Sequence, residues 1–441
     1  MSSPTPTKNG TKVAVAVGIG NFMEWFDFAI YGLFAVSIGK TFFPTGSAST
    51  QLLSTLAVYG VAFLMRPLGG LFFGVFADRR GRRISLAVAV VMMGVATALM
   101  AVIPSYAAIG VVAPVLLVLL RGVQGFSAGG EWTGSAAFGV ETASRTRRAV
   151  MASLIPGTAA LAVSFGAVVA LVVNTNLTVE QVDSWGWRLP FLLALPLTLI
   201  GLYMRLKLEE TPVFEKLVQS DEIEEAPLRA AGRRNLRPLG ISFALSCVTV
   251  LGFYYLATYT PTFLTVTVGM PRPQALTAVA IGAFLYAVCC PLAGLAAESF
   301  GRRRVSLIGS AGLALGSIPA FWLMGHGTLV LVITGFVLFG IFEAMHNVTT
   351  TVMLVELFPA SSRVTSAAIG YNLGAALIAG PGPLIAAALA AAAGGGVLPA
   401  AYIAVVALIV TIAMVKWLPE TRGVDLDADD SLTARTQVGQ A

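Results

Sequence analysis

Charge is scarce in this chain. Asp, Glu, Lys and Arg supply 11% of the 441 residues against 56% hydrophobic types, and mean hydropathy is +0.83. Soluble domains carry about 25% charged residues, so a soluble fold is excluded and a polytopic membrane protein is indicated. The three cysteines, Cys247, Cys289 and Cys290, all fall inside apolar runs, which leaves no disulfide framework. Two histidines, His326 and His346, cannot assemble a metal site with those cysteines, so neither metal nor cofactor is expected. Nucleophile motifs and phosphate-binding glycine loops are also missing, and with them any support for an embedded enzyme.

What the chain does have is apolar length. Hydrophobic windows run over residues 12–37, 52–77, 84–103, 112–138, 149–173, 187–206, 239–266, 274–297, 304–324, 328–354, 364–391 and 397–417. Each is long enough to cross a bilayer as a helix. The first window is too long and too acidic for a secretory signal and is expected to remain as a helix.

The net charge of +6 is distributed by loop and points to no nucleic-acid partner. Alternate loops hold Lys8 and Lys12, then Arg79, Arg80, Arg82 and Arg83, then Arg145, Arg147 and Arg148, then Arg302 to Arg304 and Arg363, whereas the other set shows only Lys40, Arg188 and Arg272. The positive-inside rule puts both termini in the cytoplasm of a multi-pass protein of the inner (plasma) membrane.

The two halves repeat. Gly74 to Arg83, with Asp78, Gly81 and Arg82, matches Gly294 to Arg303, with Glu298, Gly301 and Arg302. Glu141 followed by Arg148 matches Glu356 followed by Arg363, and Leu208-Glu209-Glu210-Thr211 matches Leu418-Pro419-Glu420-Thr421. Three signatures in one order describe two parallel six-helix units. The expected fold is therefore an all-α membrane protein with twelve transmembrane helices in two pseudo-symmetric bundles. Its expected parts are a disordered cytoplasmic N-terminus (1–11), an N-terminal bundle (12–207), a cytoplasmic linker (208–238), a C-terminal bundle (239–418) and a cytoplasmic tail (419–441).

The first window carries acids where hydrocarbon should be. Asn21, Glu24, Asp27 and Tyr31 share one sector of a helix, and buried acids in a span face a bundle interior or water-filled path. The fourth window puts Arg121, Gln124, Ala128, Glu131 and Ser135 on one broad face. Arg121 can hold a carboxylate through two parallel hydrogen bonds, or form a structural ion pair with Glu24, Asp27 or Glu131. Arg66, ahead of Pro67 and a run of glycines, reads as a packing residue first. Proton coupling needs an acid beside a cation, and Glu24, Asp27 and Glu131 all qualify by type. In the tenth window Glu343, His346 and Asn347 form a polar face of the opposite half, and His346 is the one histidine inside a span.

Interior acids outnumber interior arginines. Glu24, Asp27, Glu131 and Glu343 face Arg66 and Arg121, so a dianion would meet more repulsion than a zwitterion. A zwitterion could place its ammonium against aromatic faces such as Trp25, Tyr31, Trp132, Tyr254 or Tyr255 and its carboxylate on Arg121.

The loop Gly74-x-x-x-Asp78-x-x-Gly81-Arg82-Arg83 resembles the signature of the major facilitator superfamily. Gly20-Asn21-x-x-Glu24-Trp25-Phe26-Asp27-Phe28-x-x-Tyr31-Gly32, Arg66-Pro67-Leu68-Gly69-Gly70, Gln124-Gly125-x-x-x-Gly129-Gly130-Glu131 and Trp185 to Phe191 are similar to its metabolite:proton symporter family. Gly39-Lys40-x-Phe42-Phe43-Pro44 and Glu209-Glu210-Thr211-Pro212 add a likeness to the proline/glycine betaine type. The resemblance implies a monomeric proton symporter working by alternating access on a small zwitterionic osmolyte or amino acid. Carriers of 2-oxoglutarate, citrate or shikimate share most of these motifs and form the alternative. The implied substrate residues are Arg121, Tyr31, Trp25, Gln124 and Tyr255, and the proton-coupling acids Glu24, Asp27 and Glu131. Asp78 with Arg82 is expected to latch onto the N-terminus of the eleventh helix, and Glu298 with Arg302 onto the fifth. Two departures stand out: Glu298 replaces the usual Asp, and the tail after Arg422 lacks the heptads of osmosensing members.

Overall fold

Backbone groups in hydrocarbon must find partners within their own segment, so every apolar run is forced into helix. A computed structural model describes residues 10–207, 210–219, 236–392 and 397–426. Among these residues eleven helices are long and apolar enough to span a bilayer, and the pair Val17–Leu33 and Ala35–Phe42, bent by 68°, makes a twelfth span. After that first span follow Thr50–Arg80, Arg82–Val102, Val112–Thr142, Arg148–Asn176, Gly186–Met204, Leu236–Thr267, Arg272–Phe300, Arg302–Gly325, Leu329–Glu356, Ala360–Ala390 and Leu398–Trp417. They are numbered below in that order.

The first window differs from expectation at both ends. Helix starts at Gly10, inside the stretch expected to be disordered, and residues 1–9 lie outside the described set. It does not run on to residue 37 as one piece, because Phe34 leaves helical geometry at φ −105° and ψ 14°. The bend directs Ser37 and Lys40 to Asp183 at 2.7 and 2.6 Å. The expected linker holds the short helix Pro212–Gln219. Residues 208, 209 and 220–235 of it, and 427–441 of the tail, lie outside the described residues.

In the N-terminal half the second span packs on the fourth, the first on the fifth, and the third on the fourth and sixth. The C-terminal half pairs the ninth with the tenth and twelfth, the eighth with the tenth, and the seventh with the eleventh. The halves meet where the fifth span crosses the eighth and the second crosses the eleventh. Close approach between second and fourth spans depends on small residues: a Cβ on Gly125 would strike the backbone of Ala62, and one on Gly129 the backbone of Arg66.

The C-terminal half contains irregular turns that periodicity does not signal. π-helical turns occupy Tyr255–Tyr259 and Phe263–Thr267 in the seventh span and Ala375–Ala379 in the eleventh. The Tyr255 carbonyl accepts both the Thr260 backbone N–H that closes the widened turn and, at 2.8 Å, the Thr260 hydroxyl.

Candidate functional site

The polar sector of the first span does not face one neighbour. Asn21 Nδ2 donates to the Ile155 carbonyl and to Thr158 Oγ1 on the fifth span, at 2.6 and 3.0 Å. Glu24 forms an ion pair with Arg66 of the second span, both side chains wholly buried. Asp27 turns to the fourth span, where Arg121 Nη1 lies 3.2 Å and Gln124 Nε2 2.7 Å from its Oδ2. Gln124 also accepts from Arg121 Nη1 at 2.7 Å and donates to Thr97 Oγ1 at 2.8 Å.

Aromatic faces surround both cations. The Arg121 guanidinium sits 3.6 Å over the Tyr31 ring, and Tyr31 Oη donates to the Thr55 carbonyl at 3.2 Å. Arg66 lies 5.9 Å from the Trp25 ring and 5.4 Å from those of Phe28 and Phe63. Trp25 reaches across to the other half, edge-on to Phe253 at 4.4 Å, and Phe63 meets Tyr254 at 4.4 Å. Trp132 stacks flat on Tyr371 of the eleventh span at 3.9 Å. Both arginines keep unused donors: Nε and Nη2 of Arg121, and Nε and Nη1 of Arg66, are buried without a hydrogen-bond partner among the described residues. A buried guanidinium edge left open in this way can receive a carboxylate.

Arg121, Gln124, Asp27 and Tyr31 are thus brought together, with Trp25, Glu24 and Arg66 alongside. Glu131 is buried and shares with Glu24 a small internal cavity that Gly20, Met23, Thr97 and Thr198 also line. Tyr255 is not brought in. Its hydroxyl donates to the Pro399 carbonyl at 2.8 Å and its ring packs on Tyr259 and Phe321. One residue is a 100° rotation on a helix, and Tyr254 takes the interface position instead. His346 is turned away as well, with Nε2 3.1 Å from the Leu245 carbonyl and Nδ1 3.3 Å from that of Ser306.

A second polar assembly lies at the loop face where the repeats recur. Asp78 Oδ2 accepts from the backbone and hydroxyl of Thr365, at 2.9 and 2.7 Å, at the start of the eleventh span, while Oδ1 is 3.4 Å from Arg82 Nη2. Glu298 accepts from the Ala149 backbone at 2.7 Å and from Arg302 at 2.9 Å. Gly81 and Gly301 turn the chain at φ +101° and +92°, a region costly for any side chain. A Cβ there would also strike Glu210 or Glu420. Those two acids cap the next helices: Glu210 accepts from the Arg82 and Arg83 backbones at 3.2 and 3.1 Å, and Glu420 from Arg302 and Arg303 at 2.9 and 3.2 Å.

The remaining repeat pairs cross between the halves. Glu141 meets Arg363 at 2.8 Å, and Glu356 lies 3.9 Å from Arg148. The segment after the last span then straps this face. Arg145 holds the Gly423 carbonyl, Arg148 that of Val424 at 2.5 Å and Arg363 that of Leu426 at 2.8 Å. These partners were visible only as repeats, and spacing alone did not say that each acid pairs with the other half's arginine.

Comparison with known proteins agrees with this architecture. The sequence profile of the sugar (and other) transporters matches residues 13–230, and that of the major facilitator superfamily residues 267–433. The proline/betaine transporter of Salmonella typhimurium is 36% identical over 410 residues, covering 90% of this chain and 81% of that protein. The chain belongs to the major facilitator superfamily. An inner membrane metabolite transport protein of Escherichia coli is 37% identical over 392 residues, covering 87% of this chain and 88% of its own. Among solved structures, a proton:xylose symporter of the superfamily bound to 6-bromo-6-deoxy-D-glucose superposes with a TM-score of 0.79 at 18% identity, covering 98% of this chain and all (100%) of that one. This superfamily member is therefore a multi-pass membrane protein and a secondary transporter, not an enzyme.

Proposed function

We propose that this transporter imports a small zwitterion of the proline or glycine betaine kind together with protons. The observation that carries the reading is the open, buried edge of Arg121 beside Asp27. While Asp27 is ionised it holds Arg121; once protonated it releases the guanidinium to a substrate carboxylate, so that proton and substrate favour each other. Gln124 keeps Arg121 aimed, Tyr31 supplies a π face beneath it, and Trp25 offers another to an ammonium group. Glu24, paired with Arg66, and Glu131 are the other acids through which a proton could pass. The names of the relatives support the substrate class: proline/betaine transporters, and in Dickeya dadantii a glycine betaine/proline/ectoine/pipecolic acid transporter 36% identical over 413 residues.

The bundles 12–207 and 239–418 rock about the central site, joined by the linker 208–238, within one monomer. Both termini lie in the cytoplasm, so the face carrying Asp78, Arg82, Glu298 and Arg302 is cytoplasmic and its latches close it in the outward-facing state. Purified protein in vesicles with an imposed pH gradient tests the whole reading. Saturable, proton-driven uptake of proline or glycine betaine is expected. Uptake confined to 2-oxoglutarate, citrate or shikimate would reverse the assignment.

A further inference from the structure

The cations of the site all belong to the N-terminal half, while the matching face of the C-terminal half holds a lone acid. Glu343 on the tenth span is fully buried. Its Oε1 accepts from Asn347 Nδ2 at 3.3 Å, and its Oε2 has no hydrogen-bond partner among the described residues. No ion pair reaches it there either, since Arg66 and Arg121 are paired with Glu24 and Asp27 and His346 is turned to Leu245 and Ser306. The carboxylate lies against the seventh span at Gly252, where any Cβ would strike it. Around it are the rings that line the seam between the halves. Phe253, next to Gly252, lies 5.8 Å from Tyr286, Tyr286 packs on the tenth span at Gly340, one turn before Glu343, and Tyr371 stacks on Trp132 across the seam. A buried acid without a cation, bordered by π faces, is the chemistry that holds a quaternary or secondary ammonium.

We propose that Glu343 binds the cationic end of the substrate, so that the zwitterion lies across the seam with its carboxylate toward the arginines and its ammonium toward the tenth span. This rests on the substrate class given above and assigns a specificity residue to the half that had none. It makes the C-terminal half a charge reader and explains why an acid is kept there without a counter-ion.

The test uses an isostere. In 3,3-dimethylbutyrate a carbon replaces the ammonium nitrogen of glycine betaine, leaving shape and carboxylate nearly unchanged. Proteoliposomes take up labelled glycine betaine under a proton gradient, in competition with unlabelled betaine or with the isostere. The wild type is expected to favour betaine by roughly tenfold or more, the range of a charge-assisted contact. Glu343→Gln is expected to bring that ratio near one. The ratio does not depend on how much protein is active. An unchanged ratio in Glu343→Gln sinks the inference while leaving the transporter reading intact. A wild type that takes up neither betaine nor proline fails at the earlier step, and the inference falls with it. If Glu343→Gln gives no signal, Glu343→Asp and Glu343→Ala decide: preference kept in Asp and lost in Ala supports the role, and the same behaviour in both overturns it.

Discussion

The two halves share a fold and divide the chemistry. In the N-terminal half two of the central acids have a neighbour of opposite charge, Glu24 with Arg66 and Asp27 with Arg121, and no π-helical turn interrupts its spans among the described residues. Among the described residues the C-terminal half has Glu343 with Oε2 lacking a hydrogen-bond partner and three π-helical turns in its seventh and eleventh spans. At the centre, the first bundle pairs its acids Glu24 and Asp27 with cations, while the second widens its helices by π turns beside an acid with an open oxygen. π turns inside helices occur frequently at functional sites, and among the described residues all of them lie in the second half.

The largest expected effect comes from breaking the compensated side. Asp27→Asn and Arg121→Ala each leave a buried group unmatched, a loss of about 3–5 kcal/mol where such pairs are split. Proton-driven uptake is expected to fall by roughly a hundredfold or more, read as initial rates per transporter in vesicles. Uptake within twofold of wild type in both variants would remove the coupling role.

Next come the crossing pairs at the loop face, which compare the halves directly. Arg363 reaches Glu141 at 2.8 Å whereas Arg148 stands 3.9 Å from Glu356, so Arg363→Ala should lower the unfolding temperature and the latched population more than Arg148→Ala. Thermal melts and cysteine labelling at this face provide the measure, and an inverted order counts against the distances. For the latches, Asp78→Ala removes two bonds to Thr365 and one ion pair, each typically worth about 0.5–3 kcal/mol. Uptake is expected to drop about tenfold with membrane level unchanged. Glu298→Ala removes an acid partly open to solvent, 13% exposed, and should do less. Equal losses would mean that the halves are latched alike.

The smallest effect is expected at the seventh span. Tyr255→Phe deletes one bond to a carbonyl at 2.8 Å and should cost about 1 kcal/mol of stability with uptake near wild type, while Tyr254→Ala should weaken substrate affinity measurably. A Tyr255→Phe variant with impaired affinity would restore that residue to the site.

Much of this was legible in the sequence because membrane helices obey one period and one cost rule. The spans, the two-fold repeat and the inward acids Glu24 and Asp27 follow from where charge can survive in hydrocarbon. Three features were not legible. Phase could not be carried to Tyr254 and Tyr255, because a π turn begins at Tyr255 and the helical period slips there. The bend at Phe34 has no proline or glycine at the break itself to announce it. Glu141 and Glu356 each meet an arginine of their own half, Arg82 at 3.7 Å and Arg302 at 3.4 Å, and one of the other half, Arg363 and Arg148, and a repeat preserves spacing within each half without announcing the contacts that cross between them.

The strap over the loop face adds a mechanical condition to every transport cycle. Guanidiniums from both halves grip three carbonyls of one short stretch, Gly423 to Leu426, so the bundles cannot part on that side while all three grips hold. Opening this face therefore requires at least one of these three grips to break, which ties any separation of the bundles here to a four-residue stretch beyond the last span.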